Sequence, residues 1–389
     1  ASPTKWHLAH VTWFFETFLL KPFLRDYREF HAGYDHLFNS YYEQTEFGFW
    51  PRHRRGLISR PTVAEVYDYR RHVDEAMARL IETATERDWP EVAHRLAIGC
   101  NHEQQHQELL LTDIKYNLSV NPLRPAYRED LASVGERSPA ASPGSLEFTG
   151  FDGGIQWIGV GEDAGGFSYD NESPRHRQWV EPFRLGNRLI TNAEYLSFIE
   201  DGGYQQVGLW LSDGWARVKA EGWCAPLYWE ACDGAWQEFT LGGRRPLDPA
   251  EPVTHVSFYE ADAFARWSGK RLPSEAELEL AAHDRPIQGN FVEAGRLHPQ
   301  PADPAQAGLT QLFGDCWEWT GSAYLSYPGY RAAEGALGEY NGKFMSNQMV
   351  LRGGSCATSG DHMRATYRNF FYPHERWQFM GIRLAEDAR

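Results

Sequence analysis

The chain has 389 residues, of which 42% are hydrophobic and 23% are charged, a composition typical of a globular protein with two domains. Its 38 basic and 53 acidic residues give a formal charge of −15, which repels phosphate backbones and excludes nucleic acid as the expected partner. The most apolar stretch, VTWFFETFLLKPFL, contains Glu16 and Lys21 and is too short to span a bilayer, so we expect no membrane association.

The cysteines predict a reducing compartment. Their number is 5, which is odd, and none forms a C-x-x-C pair, so we expect a cytoplasmic protein without a disulfide framework. No signal peptide is recognisable. Because the chain starts at Ala1 and enters a helical pattern almost at once, we expect further residues upstream. The acidic charge is compatible with a homo-oligomer but does not predict one.

Residues 1–122 have a helical pattern. TKWHLAHVTWFFETFLL places apolar residues at helical spacing, and WPEVAHRLAIGCNHEQQHQELLLTDIKYNL is a second long run of this kind. Between them, Thr62 follows Pro61 and precedes Glu65 by three residues, which is a capping-box pattern at a helix start. The sequence therefore predicts an N-terminal bundle of about four helices.

The residue composition and pattern change after the bundle. Residues 123–146 are rich in Pro, Ser and charge, which predicts a linker. Residues 147–389 combine short alternating runs, many Gly and Trp, and two clear helical segments, ITNAEYLSFIEDG and SFYEADAFARWSGK. The prediction is an irregular α+β domain with long loops, so the fold class of the whole chain is α plus α+β.

The motif HEQQH predicts a metal site in the bundle. His102 and His106 are four residues apart and so lie on one helix face, as two ligands of one ion must. A third histidine is available upstream in WHLAH, where either His7 or His10 could serve. Helical geometry turns Glu103 about 100° from His102 and leaves Gln105 nearer the histidine stripe. Three neutral histidines suit zinc hydrolysis and Fe(II) oxygen chemistry alike, so the metal stays open here.

Longer motifs carry a family resemblance across the whole chain. SPTKWHLAHVTWFFE, HEQQHQE and RGLISRPT resemble the N-terminal DinB-like bundle of the ergothioneine-biosynthesis sulfoxide synthases. PVTHVSFYEADAFARWSGKRLPSEAELELAA, LFGDCWEWTGSAY, VLRGGS and GIRLA are similar to the formylglycine-generating-enzyme domain, which has a C-type-lectin-like fold. RGGSCATSGDHMRATYRN contains only Cys356, so the copper-binding cysteine pair of the formylglycine-generating enzymes is missing and that activity is not expected.

The resemblance implies a cofactor and a reaction. It implies that Fe(II) is held by His10, His102 and His106, that His7 is not a ligand, and that Gln105 contacts the substrate imidazole. The implied reaction uses O2 to join cysteine to C2 of hercynine (Nα-trimethylhistidine) and oxidises the sulfur, which gives hercynylcysteine sulfoxide. Three protein ligands would leave three positions for the thiolate, the imidazole and O2.

The resemblance also implies substrate contacts. Hercynine carries a quaternary ammonium group that aromatic faces recognise, and the matching residues here are Asn369 and Phe370. Family members that use γ-glutamylcysteine have an Asp and an Arg where this chain has Phe371 and Glu375, which favours free cysteine as the thiol donor. Arg52 and Arg55 are candidates for binding the cysteine carboxylate.

The proton donor departs from the family pattern. Mycobacterial-type members carry a Tyr on the loop before RGGS, three residues ahead of a second Tyr. In this chain Tyr340 matches the second Tyr. The position of the first Tyr falls near Leu337, where this chain has no tyrosine. We therefore expect Tyr41 and Tyr42, adjacent in the bundle half, to hold the replacement acid.

Four alternatives stay open on the sequence. The first two are the same reaction with γ-glutamylcysteine and an ovothiol-type synthase that joins cysteine to histidine. A more distant one is a zinc hydrolase or thiol-transferring enzyme of DinB type. The last is a noncatalytic ligand-binding module on the lectin-like fold. Zinc at full occupancy with activity that needs no O2 would favour the zinc enzyme, and a failure to bind iron would favour the noncatalytic module.

Overall fold

The computed structural model describes residues 1–43, 48–131, 144–161 and 164–388. It divides into two compact units, Ala1–Asn117 with Ala332–Tyr340 and Leu118–Arg331 with Asn341–Arg389. The helical unit thus includes a segment from late in the chain, which no sequence pattern indicated. Half of the predicted linker, residues 132–143, lies outside the described residues, so the boundaries 1–122, 123–146 and 147–389 stay predictions.

The described part of the first unit is helical, as predicted. A continuous helical stretch opens it, formed by α1 (Thr4–Phe15), a π-helical turn (Glu16–Leu20) and α2 (Lys21–Phe23). The remaining elements are α3 (Tyr34–Phe38), a 3-10 helix (Arg52–Leu57), α4 (Val63–Thr83) and α5 (Trp89–Val120). The four-helix DinB-like bundle itself stays a prediction.

Helix α1 is buried around most of its circumference, which places it in the interior of the helical unit. Its buried residues include both polar and aromatic side chains: Trp6, His7, Ala9, His10, Val11, Thr12, Trp13, Phe14 and Phe15. Histidines on such a helix are surrounded by protein rather than by water. Both imidazoles of the WHLAH motif therefore lie in the core.

Helix α4 begins where the capping box predicts. The Thr62 hydroxyl accepts from the Glu65 N–H at 3.3 Å, and the Glu65 carboxylate accepts from the Thr62 N–H at 2.7 Å. These bonds satisfy two N–H groups that a helix start leaves without partners. A stripe with helical spacing, Val66, Tyr69, Val73, Ala76, Met77 and Leu80, then faces the core.

The second unit is an α+β fold of small sheets. Its helices are α6 (Asn192–Glu200), α7 (Ser212–Glu221), α8 (Phe258–Trp267) and α9 (Glu275–Ala282). The prediction of two helices was wrong, because it identified α6 and α8 but not α7 and α9. The sequence of α7, SDGWARVKAE, contains a glycine and few apolar residues, and α9 is only 8 residues long, so neither has a clear helical period.

The strands of the second unit are short. They are β1 (Phe148–Phe151), β2 (Gly154–Ile158), β3 (His176–Val180), β4 (Phe183–Gly186), β5 (Trp229–Cys232), β6 (Ala235–Thr240), β7 (Gly243–Pro246), β8 (Trp317–Ala323), β9 (Met349–Arg352), β10 (Asn369–Phe371), β11 (Met380–Gly381) and β12 (Ala385–Asp387). Within the described ranges they form sheets ordered β1-β4-β12, β10-β9-β8-β11, β2-β3 and β5-β6-β7.

Strand β8 lies at the core of the second unit. Trp317 and Trp319 are almost fully buried, and the Trp319 indole donates to the Val256 carbonyl at 2.9 Å. β9, which ends at the RGGS motif, pairs antiparallel with β8 on one side and with β10 on the other. Across the described residues, none of the helices combines the length and the apolar composition that a membrane span requires.

Candidate metal centre

Three histidines from two helices converge inside the first unit. His10 comes from α1, and His102 and His106 come from α5; their candidate ligand atoms all lie within 4.8 Å of one another. His10 Nε2 and His102 Nε2 are 3.2 Å apart, so both could lie about 2.1 Å from a single ion. The ring of His106 lies 4.5 Å from that of His10 and 4.6 Å from that of His102, measured between centroids.

Aromatic packing fixes the histidine rings. The His10 ring is stacked on Trp6 and on Trp13, with centroid distances of 4.7 Å and 5.5 Å. Phe14 covers His102 at 4.8 Å. These large apolar neighbours limit ring rotation and keep water from the cluster, which holds the nitrogens in place for a ligand.

Burial keeps the three imidazoles neutral. It lowers the pKa of His102 to about 3 and lowers the pKa values of His10 and His106 well below the usual value, with the neighbouring histidines acting in the same direction. A metal ion requires the neutral imidazole. The donor set therefore fits a divalent ion that prefers nitrogen ligands, such as Fe(II) or Zn(II).

Hydrogen bonds assign the metal-facing nitrogen of His10. Its Nδ1 lies 2.5 Å from the Phe38 carbonyl oxygen. Because a carbonyl only accepts, His10 carries its proton on Nδ1 and directs the Nε2 lone pair toward His102. Among the described residues, His102 Nδ1 is buried without a hydrogen-bond partner.

His7 occupies a different place from the triad. Its Nδ1 lies 3.0 Å from His106 Nδ1, and its Nε2 lies 3.0 Å from Asp113 Oδ2. Burial raises the pKa of Asp113, but hydrogen bonds from His7 and from the Ser2 N–H outweigh it, so the net shift is downward and the carboxylate stays ionised. His7 thus contacts His106 from behind, whereas His10 is the histidine that groups with both His102 and His106. Sequence reasoning missed Asp113. It lies two helical turns after His106, so the helical period could have indicated it.

Glu103 faces away from the histidines. The Arg70 guanidinium of α4 donates to both of its carboxylate oxygens, at 3.1 Å and 3.2 Å. In zinc proteases with an H-E-x-x-H helix the Glu is the general base beside the metal. Here that carboxylate is used in an ion pair with α4.

Gln105 and Tyr340 lie together at the edge of the histidine cluster. The Tyr340 hydroxyl donates to Gln105 Oε1, and its ring contacts His102 edge-on at a centroid distance of 5.8 Å. Tyr340 belongs to the late segment of the helical unit, Ala332–Tyr340. In the same segment, Glu339 accepts from the Glu43 N–H at 3.0 Å.

Tyr41 and Tyr42 stack on each other, with ring centroids 4.6 Å apart. Tyr42 is fully buried and packs against Trp13 at 5.6 Å and Phe18 at 5.1 Å. Burial, followed by the neighbouring Tyr41, raises the pKa of Tyr42 well above the usual value, so this phenol stays protonated. Trp13 contacts both Tyr42 and His10, and thereby connects the tyrosine pair to the cluster.

The structure distinguishes the two candidate arginines. Arg52 is exposed, whereas Arg55 is 4% exposed and lies over the Trp6 ring at 3.5 Å. Arg55 donates to the hydroxyls of Ser40 and Ser2 at 3.0 Å and 3.3 Å, and its Nε is buried without a partner in the described residues. Burial, and then the charge of Arg52, lowers the pKa of Arg55 to about 9.

The remaining candidate residues belong to β10 in the second unit. Asn369 Oδ1 accepts from the Phe370 N–H at 2.9 Å. The Phe370 ring is stacked on Tyr324 at a centroid distance of 4.0 Å and an angle of 9°. Phe371 meets Trp377 edge-on at 5.1 Å, and the Trp377 indole donates to Glu375 at 2.9 Å.

A second cluster of metal-ligand type lies in the second unit. It consists of Glu238, Glu251 and His298, all buried. The Arg245 guanidinium donates to Glu238 at 2.7 Å and also to Glu251, so a cation of the chain itself already lies between the two carboxylates. We interpret this cluster as a buried ion-pair network.

Comparisons with known proteins give matches to a domain family and to full-length relatives. The sequence model of the Sulfatase-modifying factor enzyme 1-like domain family matches residues 151–301 and 294–388. The hercynine oxygenase of Mycolicibacterium smegmatis is 32% identical over 100% of this chain and 91% of its own length. The chain belongs to the hercynine oxygenase family. A second hercynine oxygenase, from Mycolicibacterium thermoresistibile, is 33% identical over 77% of this chain and 70% of its own.

The extent of similarity separates hercynine oxygenases from formylglycine-generating enzymes. The formylglycine-generating enzyme of Streptomyces coelicolor is 30% identical over 66% of this chain and 95% of its own length. The similarity to the hercynine oxygenase of M. smegmatis spans the entire chain. It therefore covers the helices that carry His10, His102 and His106. The resemblance seen in the sequence motifs is therefore confirmed, and so is the formylglycine-generating-enzyme-like nature of the second half.

Proposed function

We propose that this chain is a non-haem iron, O2-dependent sulfoxide synthase that joins cysteine to C2 of the hercynine imidazole and gives hercynylcysteine sulfoxide. The observation that carries the proposal is the buried triad His10, His102 and His106, in a chain that is similar to a hercynine oxygenase over its whole length. Iron(II) held by three neutral imidazoles would leave coordination positions open for the substrates and would supply the redox chemistry of O2 reduction.

Gln105 is proposed to hold the hercynine imidazole. Because Tyr340 donates to Oε1 of Gln105, the oxygen end of this amide is the accepting end. The nitrogen end of the amide then donates to a ring nitrogen of the substrate. Tyr340 would thus orient Gln105 beside the metal ligands, and this contact supports a role for both residues in substrate placement.

Arg55 is proposed to bind the cysteine carboxylate. It is a buried cation whose Nε is without a partner among the described residues, and its lowered pKa reflects burial that neighbouring anions do not offset. A carboxylate can accept two parallel hydrogen bonds from a guanidinium. Arg52 is exposed, so its predicted role as a second carboxylate contact has less support.

The second unit is proposed to supply recognition of the trimethylammonium group. A quaternary ammonium group cannot donate an N–H hydrogen bond, so aromatic faces are the groups that attract it. Phe370 and Tyr324 form a stacked pair, and Asn369 lies next to them on β10. These contacts support Asn369 and Phe370 as hercynine contacts.

Free cysteine is the proposed thiol donor. A γ-glutamyl arm would bring an additional carboxylate that needs a cationic or polar partner. At the two positions in question, Phe371 packs on Trp377, and Glu375 accepts a hydrogen bond from the same indole. An apolar ring and a carboxylate at these positions disfavour binding of the γ-glutamyl group.

Tyr41 and Tyr42 are proposed to hold the acid that protonates reduced oxygen. A phenol whose pKa is raised by burial retains its proton until a strong base forms nearby. Tyr340 is the alternative donor, and its contact with Gln105 favours it as a second candidate.

The cytoplasmic location and the homo-oligomer stay predictions.

The test is anaerobic loading of the full chain with Fe(II), followed by hercynine, cysteine and O2, with products identified by mass spectrometry. Hercynylcysteine sulfoxide is the expected product, and omission of O2 should abolish it. Cysteine sulfinate alone would show that the acid or the imidazole substrate is assigned wrongly. Activity with zinc and without O2 would overturn the proposal in favour of a hydrolase.

A further inference from the structure

A buried His–Asp pair lies directly behind one of the proposed metal ligands. His7 of α1 and Asp113 of α5 are joined at 3.0 Å between Nε2 and Oδ2, and both side chains are largely shielded from solvent. His7 Nδ1 lies 3.0 Å from Nδ1 of His106. The Ser2 N–H donates to the same Asp113 oxygen at 2.7 Å. The three side chains Asp113, His7 and His106 thus form a continuous hydrogen-bonded series.

The arrangement allows only one placement of protons when both imidazoles are neutral. The Asp113 carboxylate can only accept, so the single proton of His7 must lie on Nε2. His7 Nδ1 then presents a lone pair to His106. His106 must therefore carry its proton on Nδ1, which leaves its Nε2 unprotonated, as a metal ligand requires.

We propose that His7 and Asp113 position His106 as a metal ligand by holding it in the Nδ1–H tautomer. His10 receives the same constraint from the Phe38 carbonyl. The difference is that the acceptor behind His106 is an imidazole supported by a carboxylate, which strengthens its donation to the metal. This inference rests on the metal site of the proposed function and assigns a role to two residues outside the triad.

The substitution Asp113→Leu removes the acceptor of the His7 Nε2–H. The single proton of His7 can then move to Nδ1, where it opposes the N–H of His106 and favours the tautomer with a proton on His106 Nε2, the nitrogen needed for the metal. Asp113→Asn would not have this effect, because the Ser2 N–H selects the amide oxygen at the Oδ2 position and that oxygen still accepts from His7. His7→Leu removes the acceptor of His106 itself.

The experiment measures Fe(II) affinity of the metal-free full chain by anaerobic competition with a chromophoric chelator. Asp113→Leu and His7→Leu should each weaken binding by roughly 10- to 100-fold. The double variant should bind no more weakly than His7→Leu alone, because Asp113 acts through His7. The control is Glu16→Gln, which alters a buried carboxylate of the same unit that accepts from Tyr27 and Tyr69 at 2.6 Å each and should leave the affinity unchanged.

A second measurement needs no variant. Long-range 15N–1H correlation spectra of the metal-free wild-type chain distinguish the two imidazole tautomers, and we expect the proton on Nδ1 of His106 and on Nε2 of His7. A proton on Nε2 of His106 would overturn the inference even if a variant failed to fold. If the wild-type chain binds Fe(II) and the variants have affinities within about twofold of the wild-type affinity, the inference is overturned but the proposed function is not. A wild-type chain that bound no iron would overturn both.

Discussion

Single residues in the helical unit are held by contacts that suggest their chemistry. Arg55 is a guanidinium buried against the Trp6 ring and bonded to serine oxygens, which is an unusual environment for a cation. Trp6 in turn stacks on His10. A substrate carboxylate bound by Arg55 would therefore lie one aromatic ring away from the proposed metal ligands.

Arg55→Gln should raise KM for cysteine by about 10- to 100-fold, because hydrogen bonds to a charged group contribute about 1.5–3 kcal/mol. Steady-state kinetics with cysteine as the varied substrate would measure this effect. The matched control is Arg54→Gln, an exposed arginine of the same 3-10 helix, for which we expect little change. Equal KM values for the two variants would contradict the role of Arg55.

The double variant Tyr41→Phe with Tyr42→Phe should bind Fe(II) normally but form at least about 100-fold less sulfoxide, since one positioned acid contributes roughly 10²–10⁴-fold. Product analysis should then show cysteine sulfinate as the competing product. Tyr34→Phe is the control, because Tyr34 is buried in the same unit and packs on Phe38 and Tyr69. If the double variant forms as much sulfoxide as the wild type, Tyr340 becomes the candidate proton donor. The variant Tyr340→Phe tests that role.

Two elements, α1 and α5, carry the candidate centre, and α4 supports it from outside. α1 continues into a π-helical turn at Glu16–Leu20, an irregularity often found near functional sites. Arg70 of α4 pairs with Glu103 of α5, next to His102. The start of α4 is stabilised by a capping box and not by burial, so it can be altered without changing the core.

Thr62→Ala should lower the free energy of unfolding of the helical unit by about 1 kcal/mol, the usual cost of losing a side-chain cap. Urea denaturation followed by circular dichroism would measure the loss. Fe(II) affinity should not change, because the cap lies apart from the ligands. Thr83→Ala, at the other end of α4, removes only a bond from the hydroxyl to the Arg79 carbonyl and should have a smaller effect. A larger loss for Thr83→Ala would show that capping does not determine the stability of α4.

On the scale of the whole molecule, buried ion pairs organise the second unit. Arg383 and Glu318 are almost fully buried and bonded at 2.7 Å and 2.9 Å, and Arg383 also donates to the carbonyl of Gly186 at 2.9 Å. Burial raises the pKa of Glu318, and the charge of Arg383 opposes that shift. Removal of the cation would leave a carboxyl group in the core of the lectin-like fold without its partner.

Arg383→Met should destabilise the second unit by about 3–5 kcal/mol, the cost typical of breaking a buried pair from one side. Differential scanning calorimetry would detect this as a lowered transition temperature of the second unit. Adding Glu318→Gln should recover part of the loss, because the unpaired charge is then removed. If the double variant were as unstable as the single one, the bonds from Arg383 to backbone carbonyls would dominate over the ion pair.

Much of the architecture was accessible from local patterns. The Thr62–Glu65 capping box located the start of α4, and the four-residue spacing of His102 and His106 placed both on one face of α5. Extended motifs identified the family, because the order of the two halves is more specific than either half. Helices α7 and α9 were not predicted, because the sequences of short segments with weak periodicity cannot be distinguished from those of loops.

The sequence by itself determined the family, the two kinds of structure and the candidate histidines, because residue type and spacing along a helix are local properties. Only the tertiary structure decided which distant groups meet. It placed Asp113 behind His7, joined Tyr340 to Gln105 and buried Arg55 against the Trp6 ring. These contacts depend on how helices and a late chain segment pack within one unit, and packing is a property of the whole chain that no local pattern encodes.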